Sequence, residues 1–133
     1  MKTVGIVAEY NPFHAGHRKQ FDRVKAEFGG ETAIVCAMSG NYVQRGAPAV
    51  MDKTLRAKAA VACGADLVVG LPTTVSLSSA EGFAAGGVGV LAATGAVDTL
   101  VFGSECGDTE TLKAVAAALE SESFAAYLRQ GLQ

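Results

Sequence analysis

The feature that most constrains the fold of this chain is a series of four short apolar runs, separated by stretches long enough for a helix. The runs are "TVGIVAEY", "TAIVCAM", "DLVVGL" and "DTLVFGS", each rich in β-branched residues and nearly continuous rather than alternating. Such runs are typical of strands buried on both faces of a sheet. Intervals of this length allow helical crossovers between parallel strands. The sequence therefore predicts an α/β fold, a Rossmann-like parallel sheet with helices on both faces.

The intervals between the runs carry helical patterns with start and stop signals. "HAGHRKQFDRVKAEFGG" places Phe21, Val24 and Phe28 on one face and ends in a glycine pair suited to a C-cap. Asp52 and Asp108 stand where the N-caps of two further helices are expected. "SSAEGFAAGGVGVLAATGA" predicts a helix whose glycines allow close packing on the sheet. The final "SFAAYLRQGLQ" looks like the start of another helix.

Length and composition predict one packed domain. The chain has 133 residues, of which 50% are hydrophobic and 18% charged, and a net charge of -2. These values argue against disorder and against a global basic surface for nucleic acid. We therefore expect residues 1–133 to fold as one domain. Because the chain ends soon after its fourth strand–helix unit, we expect it to be the N-terminal part of a longer protein.

The cysteines and the N-terminus bear on the compartment. The chain contains three cysteines without a CxxC pair, and each lies in or beside an apolar run. We therefore expect buried thiols and a reducing cytoplasm rather than a disulfide framework. The apolar stretch of "MKTVGIVAEY" is too short for a secretory signal, and no segment resembles a membrane span. A cytoplasmic protein without a membrane partner is the expectation.

Polar or small residues follow each predicted strand. The segments are "EYNPFHAGH", "SGNYVQRG", "PTTVSLSS" and "GSECGD". In a parallel sheet they all emerge at one edge, and ligands bind at that edge near the point where the strand order reverses. The sequence therefore predicts a ligand site at the carboxyl edge of the sheet.

Both histidines of the chain stand in the first of these segments. Pro12 ends the strand, Gly16 allows a close backbone approach, and His14 and His17 can project to the same side of the first helical turn. A helix N-terminus attracts anions, and imidazoles there can donate hydrogen bonds to phosphate oxygens. Two alternatives stay open, namely that the pair simply caps a helix, or that it binds a metal. A metal site is disfavoured because Glu9 is the only nearby carboxylate, so no metal ligand is assigned.

A second group of candidates surrounds the "SGNYVQRG" block. Ser39, Arg45, Lys53 and Arg56 are candidate contacts for an anion or substrate, since a guanidinium matches carboxylate and phosphate geometry. The alternative is a solvated basic helix face. Asp52 is expected to cap a helix rather than bind magnesium.

Two polar positions have two interpretations each, and two further positions have one. Asn11 either contacts the ligand or is a turn residue. Glu9 either orders the loop or faces the ligand. Ser104 and Glu105 follow the fourth strand, where they are candidates for contacts to the ligand.

Three blocks together resemble one enzyme family. "HAGH" after the first strand resembles the HxGH signature of the nucleotidyltransferase superfamily. "GIVAEYNPFHAGH", "MSGNYVQRGAPAVMDKTLRAKAAVACGADLVVGLP" and "VDTLVFGSE" are similar to the N-terminal half of bacterial tRNA(Met) cytidine acetate ligases, from about Val4 to about Glu105. The resemblance implies that ATP and acetate form acetyl-adenylate and pyrophosphate. It also implies transfer of the acetyl group to N4 of the wobble cytidine of elongator tRNA(Met), without acetyl-CoA.

The resemblance also implies that residues 1–133 form a nucleotidyltransferase-like ATP-binding domain, the N-terminal part of a longer protein, and it assigns site residues. It implies catalytic roles for His14 and His17, which would brace the phosphates. The implied ATP-binding residues are Val7, Ala8, Glu9, Tyr10, Asn11, Pro12, Phe13, His14, Ala15, Gly16, His17, Arg18, Lys19, Gln20 and Gly103. Mg²⁺ is expected to accompany ATP, without an assigned protein ligand. Contacts to tRNA are expected mainly from a C-terminal region that this sequence lacks, so the chain alone is expected to supply part of the ATP site and to be inactive.

One departure and two rival functions accompany the resemblance. Gly70 stands where the family pattern leads us to expect glutamate. A small-molecule adenylyltransferase of the same superfamily is the first alternative, and the "QRG" block disfavours it. The second alternative is a nucleotide- or RNA-binding module without activity of its own.

Overall fold

The computed structural model describes residues 1–131 and contains a four-stranded parallel sheet with helices on both faces. The strands are β1 (Thr3–Ala8), β2 (Ala33–Met38), β3 (Leu67–Gly70) and β4 (Thr99–Leu100). The helices are α1 (Ala15–Phe28), α2 (Lys53–Ala62), α3 (Thr73–Ser76), α4 (Ala80–Ala93), α5 (Thr109–Leu119) and α6 (Glu122–Gly131). The four predicted strands and the predicted helices are confirmed. The single-turn α3 is an addition, because four residues are too few for a periodic pattern.

The strand order is β3-β2-β1-β4, with every pair parallel. Ala8 lies opposite Met38, and Met38 lies opposite Gly70, so three strands end at the same level. The loops that follow β1, β2 and β3 therefore leave the sheet side by side, as predicted. The chain moves outward from β1 to β3 and then returns to place β4 on the other side of β1. The segment after β1 thus lies at the topological switch point.

Each face of the sheet has its own buried cluster. The first cluster joins strand residues such as Ile6 and Ile34 to Phe21 and Val24 of α1 and Ala60 of α2. The second cluster lies on the opposite face. It contains Val35 and Ala37 of β2 and Leu91 of α4, with Val75 of α3 and Val97 packed against them. The alternation of neighbouring strand residues between two clusters confirms that the sheet is buried on both faces.

The glycines of α4 allow the predicted close packing. A Cβ added to Gly87 would lie 2.5 Å from Cγ1 of Val7 in β1, and one added to Gly86 would lie 2.5 Å from Cγ1 of Val75. Neither distance is compatible with a side chain, so α4 approaches the sheet and α3 at glycine positions.

The predicted caps are present. The carboxylate of Asp52 accepts from the N–H of Thr54 at 2.8 Å at the start of α2. That of Asp108 accepts from the N–H of Glu110 at 3.1 Å at the start of α5. After α1, the N–H of Gly29 donates to the carbonyl of Lys25, and the left-handed φ of 99° at this position favours glycine.

The chain divides into two compact units, Met1–Phe102 and Gly103 onward. The first unit contains the sheet with α1 to α4, and the second contains α5 and α6, which contact each other. The single-domain assignment stays a prediction. Of the thiols, Cys36 is buried as expected but Cys106 is exposed, because it lies in the loop before α5 and not in a strand. Within residues 1–131, no helix is long and apolar enough to cross a membrane.

Candidate functional site

The segment after β1 turns sharply before α1 begins. Tyr10 has a φ of 46°, a left-handed conformation that bulky residues rarely adopt. Its ring is only 1% exposed and lies 4.9, 4.8 and 6.3 Å, between ring centroids, from the rings of Phe13, His17 and Phe21. These edge-to-face contacts stabilise a backbone conformation that is costly by itself. We call residues 9–17 the histidine turn.

The hydroxyl of Tyr10 is buried against a thiol. It lies 3.3 Å from Sγ of Cys36 on β2. Burial raises the pKa of Tyr10 well above its ordinary value, and burial likewise raises the pKa of Cys36 to about 11. Both groups therefore stay protonated at neutral pH, and their role here is packing beneath the histidine turn.

The two histidines form the N-cap of α1. The N–H of Gly16 donates to Nδ1 of His14 at 3.1 Å, and the N–H of His14 donates to Nδ1 of His17 at 3.2 Å. This is a reciprocal capping box, with imidazoles in the places where Ser or Thr and Glu are usual. The two rings are stacked, with centroids 3.7 Å apart and an interplanar angle of 22°. The two imidazoles thus cap the helix and are brought together, and their contact with phosphates stays a prediction.

The capping hydrogen bonds assign the tautomer that each imidazole has in its neutral form. Because each Nδ1 accepts an N–H, the proton of each ring stands on Nε2. Burial lowers the pKa of His17, and the neighbouring His14 lowers it further. His17 is therefore neutral at neutral pH. Neither Nε2 has a hydrogen-bond partner among residues 1–131, so the turn offers two unused N–H donors.

Gly16 is required by the histidine beside it. A Cβ at position 16 would lie 2.9 Å from Cε1 and 3.0 Å from Nδ1 of the His14 ring. Any other residue would displace that ring from its capping position. The sequence predicts Gly16 for backbone access to a ligand, and the structure adds this contact within the turn.

The charges around the turn favour an anion. Helix α1 has 14 residues and no acidic residue in its first turn, so its positive end is not neutralised there. Arg18 and Lys19 are exposed on the same first turns. A helix N-terminus with free N–H donors and no carboxylate is a site for a phosphate or a similar anion.

The segment after β2 lies beside the histidine turn and folds back on itself. We call residues 39–52 the QRG loop. Tyr42 and Pro48 form an antiparallel bridge, and the N–H of Val43 donates to the carbonyl of Ala47 at 3.1 Å. The loop is thus a short hairpin at the carboxyl edge of the sheet.

Two side chains of the histidine turn hold the QRG loop. The carboxylate of Glu9 accepts from the N–H of Gln44 at 2.8 Å and from Oγ of Ser39 at 3.4 Å. The amide oxygen of Asn11 accepts from the N–H of Val50 at 2.8 Å. These contacts favour the loop-ordering interpretation of Glu9, and they give Asn11 the same role, which differs from both of its sequence interpretations. The ligand contacts of Glu9 and Asn11 stay predictions. Ser39 is 0% exposed, so its side chain is not accessible for the predicted anion contact and serves the loop instead.

The structure contradicts the prediction that the side chain of Arg56 is accessible. Both sequence interpretations, an anion contact and a solvated basic face, need an accessible side chain, but Arg56 is 1% exposed. Its Nε donates to the carbonyl of Met51 at 3.0 Å and Nη1 to that of Glu9 at 2.6 Å, while Nη2 donates to that of Gly40. The guanidinium therefore binds backbone carbonyls of the histidine turn and the QRG loop. Arg56 is inward because it lies one turn before Ala60, which is also buried, and that spacing is the signal in the sequence.

The other basic candidates are accessible. Arg45 in the QRG loop and Lys53 at the start of α2 are both exposed. The N–H of Lys53 donates to the amide oxygen of Asn41 at 2.9 Å, a capping contact that sequence reasoning missed because it spans the loop. Anion contacts by Arg45 and Lys53 stay predictions. No group of three His, Cys, Asp or Glu side chains in the described residues could hold a metal ion.

Two glycines remain from the predicted site. Gly70 ends β3, and a Cβ there would meet nothing within 4 Å, so the space at this edge accepts a larger residue such as the glutamate expected from the family pattern. Gly103 is exposed and begins the second unit. Beside it, Oγ of Ser104 accepts from the N–H of Gly107 at 2.8 Å. A nucleotide contact at Gly103 stays a prediction.

Comparison with known proteins gives a consistent result. A family model described as HIGH Nucleotidyl Transferase matches residues 1–133. The tRNA(Met) cytidine acetate ligase of Acetivibrio thermocellus is 46% identical over 134 residues, 99% of this chain and 32% of that protein. The ligase of the same name from Clostridium perfringens is 44% identical over 135 residues, 100% of this chain and 33% of that protein.

A solved structure matches the fold. The crystal structure of Thermotoga maritima TmcAL bound with alpha-thio ATP superimposes with a TM-score of 0.91 at 43% sequence identity, covering 99% of this chain and 32% of that one. The predicted fold class and the predicted family resemblance are confirmed. The chain spans about a third of the length of the relatives that it matches.

Proposed function

The chain belongs to the HIGH nucleotidyl transferase family, and on that basis we propose that its histidine turn binds the phosphates of ATP. We further propose that it acts in a ligase that activates acetate as acetyl-adenylate and acetylates N4 of the wobble cytidine of elongator tRNA(Met). The alpha-thio ATP bound to the similar TmcAL structure supports the first part. The names of the curated relatives support the second.

The observation that carries the proposal is the imidazole capping box. His14 and His17 use Nδ1 to cap α1, which leaves an N–H donor on each Nε2. Stacking at 3.7 Å keeps the two donors close together, at the positive end of α1. Donors fixed before the ligand arrives need no reorganisation when charge develops on a phosphate.

The proposed first step is displacement at the α-phosphorus of ATP. An acetate oxygen forms a bond to this phosphorus, and the bond to the bridging oxygen of pyrophosphate breaks. The leaving pyrophosphate takes the electron pair of that bond. His17 and His14 would donate hydrogen bonds to the phosphate oxygens as negative charge shifts toward the leaving group. This chemistry needs positioning and charge stabilisation rather than a protein nucleophile.

The proposed second step transfers the acetyl group. N4 of the cytidine attacks the acetyl carbonyl, AMP leaves, and the amine loses a proton. Residues that contact tRNA are proposed to lie mainly outside this chain, since the relatives are about three times as long. The expected Mg²⁺ has no protein ligand set in residues 1–131, so its association with ATP is proposed from the chemistry of ATP alone.

The rest of the ATP site is proposed from the family pattern. The segment from Val7 through Gln20 would supply contacts to the nucleotide, and Gly103 would supply another. We propose that this chain supplies part of the site. Binding of ATP by the 133-residue chain is therefore expected to be roughly micromolar or weaker, as measured by calorimetry. Submicromolar affinity would contradict the partial-site proposal.

Exchange of labelled pyrophosphate into ATP tests the activity, in the intact protein that contains this chain. Exchange that requires acetate supports the ligase. Exchange with pantetheine phosphate or nicotinamide mononucleotide, and not with acetate, would contradict it in favour of a small-molecule adenylyltransferase. ATP binding without exchange for any acid would support the binding-module alternative instead. Exchange by this chain alone would contradict the partial-site proposal.

A further inference from the structure

A buried arginine connects the segments that form the carboxyl edge of the sheet. We propose that Arg56 is a positioning residue for the histidine turn, which it holds in the conformation that places the His17 ring. The link between this role and ATP rests on the function proposed above. The hydrogen bonds of Arg56 are independent of that function. Arg56 contacts carbonyls only, and it acts through the backbone of Glu9.

The three carbonyls belong to the histidine turn and to the two ends of the QRG loop. Glu9 follows β1, Gly40 follows β2, and Met51 immediately precedes the N-cap of α2. None of the three carbonyls accepts a hydrogen bond from a backbone N–H among residues 1–131. One planar guanidinium with donors on three nitrogens satisfies all three at once, which an ammonium on a shorter stem does not match.

The contact with Glu9 is made next to the strained residue of the turn. Tyr10 follows Glu9 and has the left-handed φ of 46°. Its ring contacts the His17 ring at 4.8 Å between centroids. If the Glu9 carbonyl is released, the backbone at Tyr10 is free to relax toward an ordinary conformation. The Tyr10 ring would then move, and the His17 ring would lose the surface against which it packs.

The charge of Arg56 does not explain its burial. Among residues 1–131 the only ion pair within 4.0 Å joins Lys113 to Glu110, and both of those side chains are exposed. The carboxylate of Glu9 is used by Gln44 and Ser39 instead. Arg56 is a buried cation whose partners are three carbonyls, so we infer that the arrangement of its N–H donors, and not its charge, determines its role. The proposal therefore predicts that charge alone does not replace it.

The two histidines make this proposal directly testable by NMR. The chain contains only two, so each imidazole gives a separately assignable signal. We would record the ring signals of His14 and His17 without nucleotide in three variants, Arg56→Lys, Arg56→Met and Arg23→Met. Arg56→Lys keeps the charge and is the variant expected to fold. Arg23 is exposed on α1 and is the matched control.

The expected result is disappearance of the nuclear Overhauser effects between His17 and Tyr10 in Arg56→Lys and Arg56→Met alike. The Leu91 methyl signals on the opposite face stay unchanged, and Arg23→Met resembles the native chain. Native histidine signals in a folded Arg56→Lys chain would overturn the proposal. Unfolding of both Arg56 variants would overturn it too, because Arg56 would then serve general stability.

The functional consequence is measured separately, in the intact protein that contains this chain. In pyrophosphate exchange we expect kcat of Arg56→Lys to fall by on the order of 100-fold, since small misplacements of catalytic groups have effects of that size. An unchanged kcat in a variant whose His17–Tyr10 Overhauser effects have disappeared would overturn the link to catalysis. If the native protein shows no exchange with acetate, the proposed function fails while the NMR result still decides the role of Arg56.

Discussion

Two helices that begin at the same edge of the sheet are capped in chemically different ways. Helix α2 begins at Asp52, whose carboxylate accepts from the N–H of Thr54 at 2.8 Å. Helix α1 begins at His14, whose Nδ1 accepts from the N–H of Gly16 at 3.1 Å. In each case the side chain of the N-cap binds the N–H two residues later. The first cap adds a negative charge to a positive helix end, and the second does not.

The difference shows what capping alone leaves unexplained. Asp, Asn, Ser and Thr are the efficient N-cap residues, so a helix that needs only a cap has no use for imidazole. A carboxylate at the N-cap also neutralises the positive end of the helix, so that an anionic ligand is no longer attracted there. The pair at α1 caps the helix and keeps two N–H donors for another partner. We infer that α2 is capped for stability and α1 for a ligand.

The largest effect should come from removing a donor at α1. In the intact protein that contains this chain, we expect His17→Ala to reduce acetate-dependent pyrophosphate exchange by about 10²–10³-fold, the effect of losing one donor to developing charge. Circular dichroism should show a folded protein. Asp52→Ala, which removes the cap of α2, should leave exchange unchanged. Near-normal exchange by His17→Ala would count against the assigned role.

Replacing the imidazole cap of α1 with a carboxylate like that of α2 should weaken ATP binding. His14→Asp keeps a good N-cap but places a carboxylate at the anion site. Repulsion at contact distance costs about 1–4 kcal/mol, so we expect ATP affinity to fall by about tenfold or more. His14→Asn keeps a neutral cap and should lose less. An NMR titration with ATP measures both, and equal affinities for the two variants would mean that charge at this position is irrelevant.

The residue two positions after each N-cap gives a smaller effect on ATP binding. Thr54 of α2 stands two residues after its cap, where α1 has Gly16. Since a Cβ at position 16 would lie 2.9 Å from the His14 ring, Gly16→Ala should displace the ring and weaken ATP binding severalfold. Its effect on unfolding free energy should stay within about 1 kcal/mol, because alanine also reduces the entropy of the unfolded chain. Thr54→Ala is the control, and equal ATP binding by Gly16→Ala and the native chain would contradict the contact.

The smallest effects are those of pH on stability. The two caps should lose their contributions in different pH ranges. Burial lowers the pKa of His17 from 6.5, and hydrogen bonds from Thr54 lower the pKa of Asp52 from 3.8. In both cases the unfolded chain binds more protons between the two pKa values, so stability falls as pH falls. The contribution of His17 should disappear as pH falls from 6.5 through its lowered value, and that of Asp52 only below 3.8.

Amide signals measure this separation. On acidification the N–H of His14 should shift first, because a protonated Nδ1 of His17 cannot accept it. The N–H of Thr54 should shift only near the carboxylate range. Simultaneous shifts of the two amides would contradict independent caps.

The local features of the fold were predictable from the sequence, and the contacts between loops were not. Apolar runs predict the four strands, and Asp52 and Asp108 predict two helix starts, because each signal lies within a few neighbouring residues. Glu9 and Gln44 are 35 residues apart, and Arg56 and Glu9 are 47 apart. Such contacts depend on strand order, which no local pattern contains. The fold and the inward position of Arg56 on α2 thus follow from periodicity, while the hydrogen-bond partners of Arg56 follow from the topology.

The histidine turn was predictable in part from the sequence. The sequence predicts that His14 and His17 share one side of a first helical turn, and the stacked rings agree with that placement. It does not predict which nitrogens cap the helix. That assignment needs the backbone N–H groups of His14 and Gly16 in three dimensions, and it is what leaves Nε2 available.

A crystal structure of this chain with alpha-thio ATP would test the central claim most directly. We expect phosphate oxygens about 2.7–3.1 Å from Nε2 of His14 and His17, with the capping bonds of both Nδ1 atoms retained. A nucleotide bound elsewhere, with both imidazoles facing bulk water, would contradict this claim.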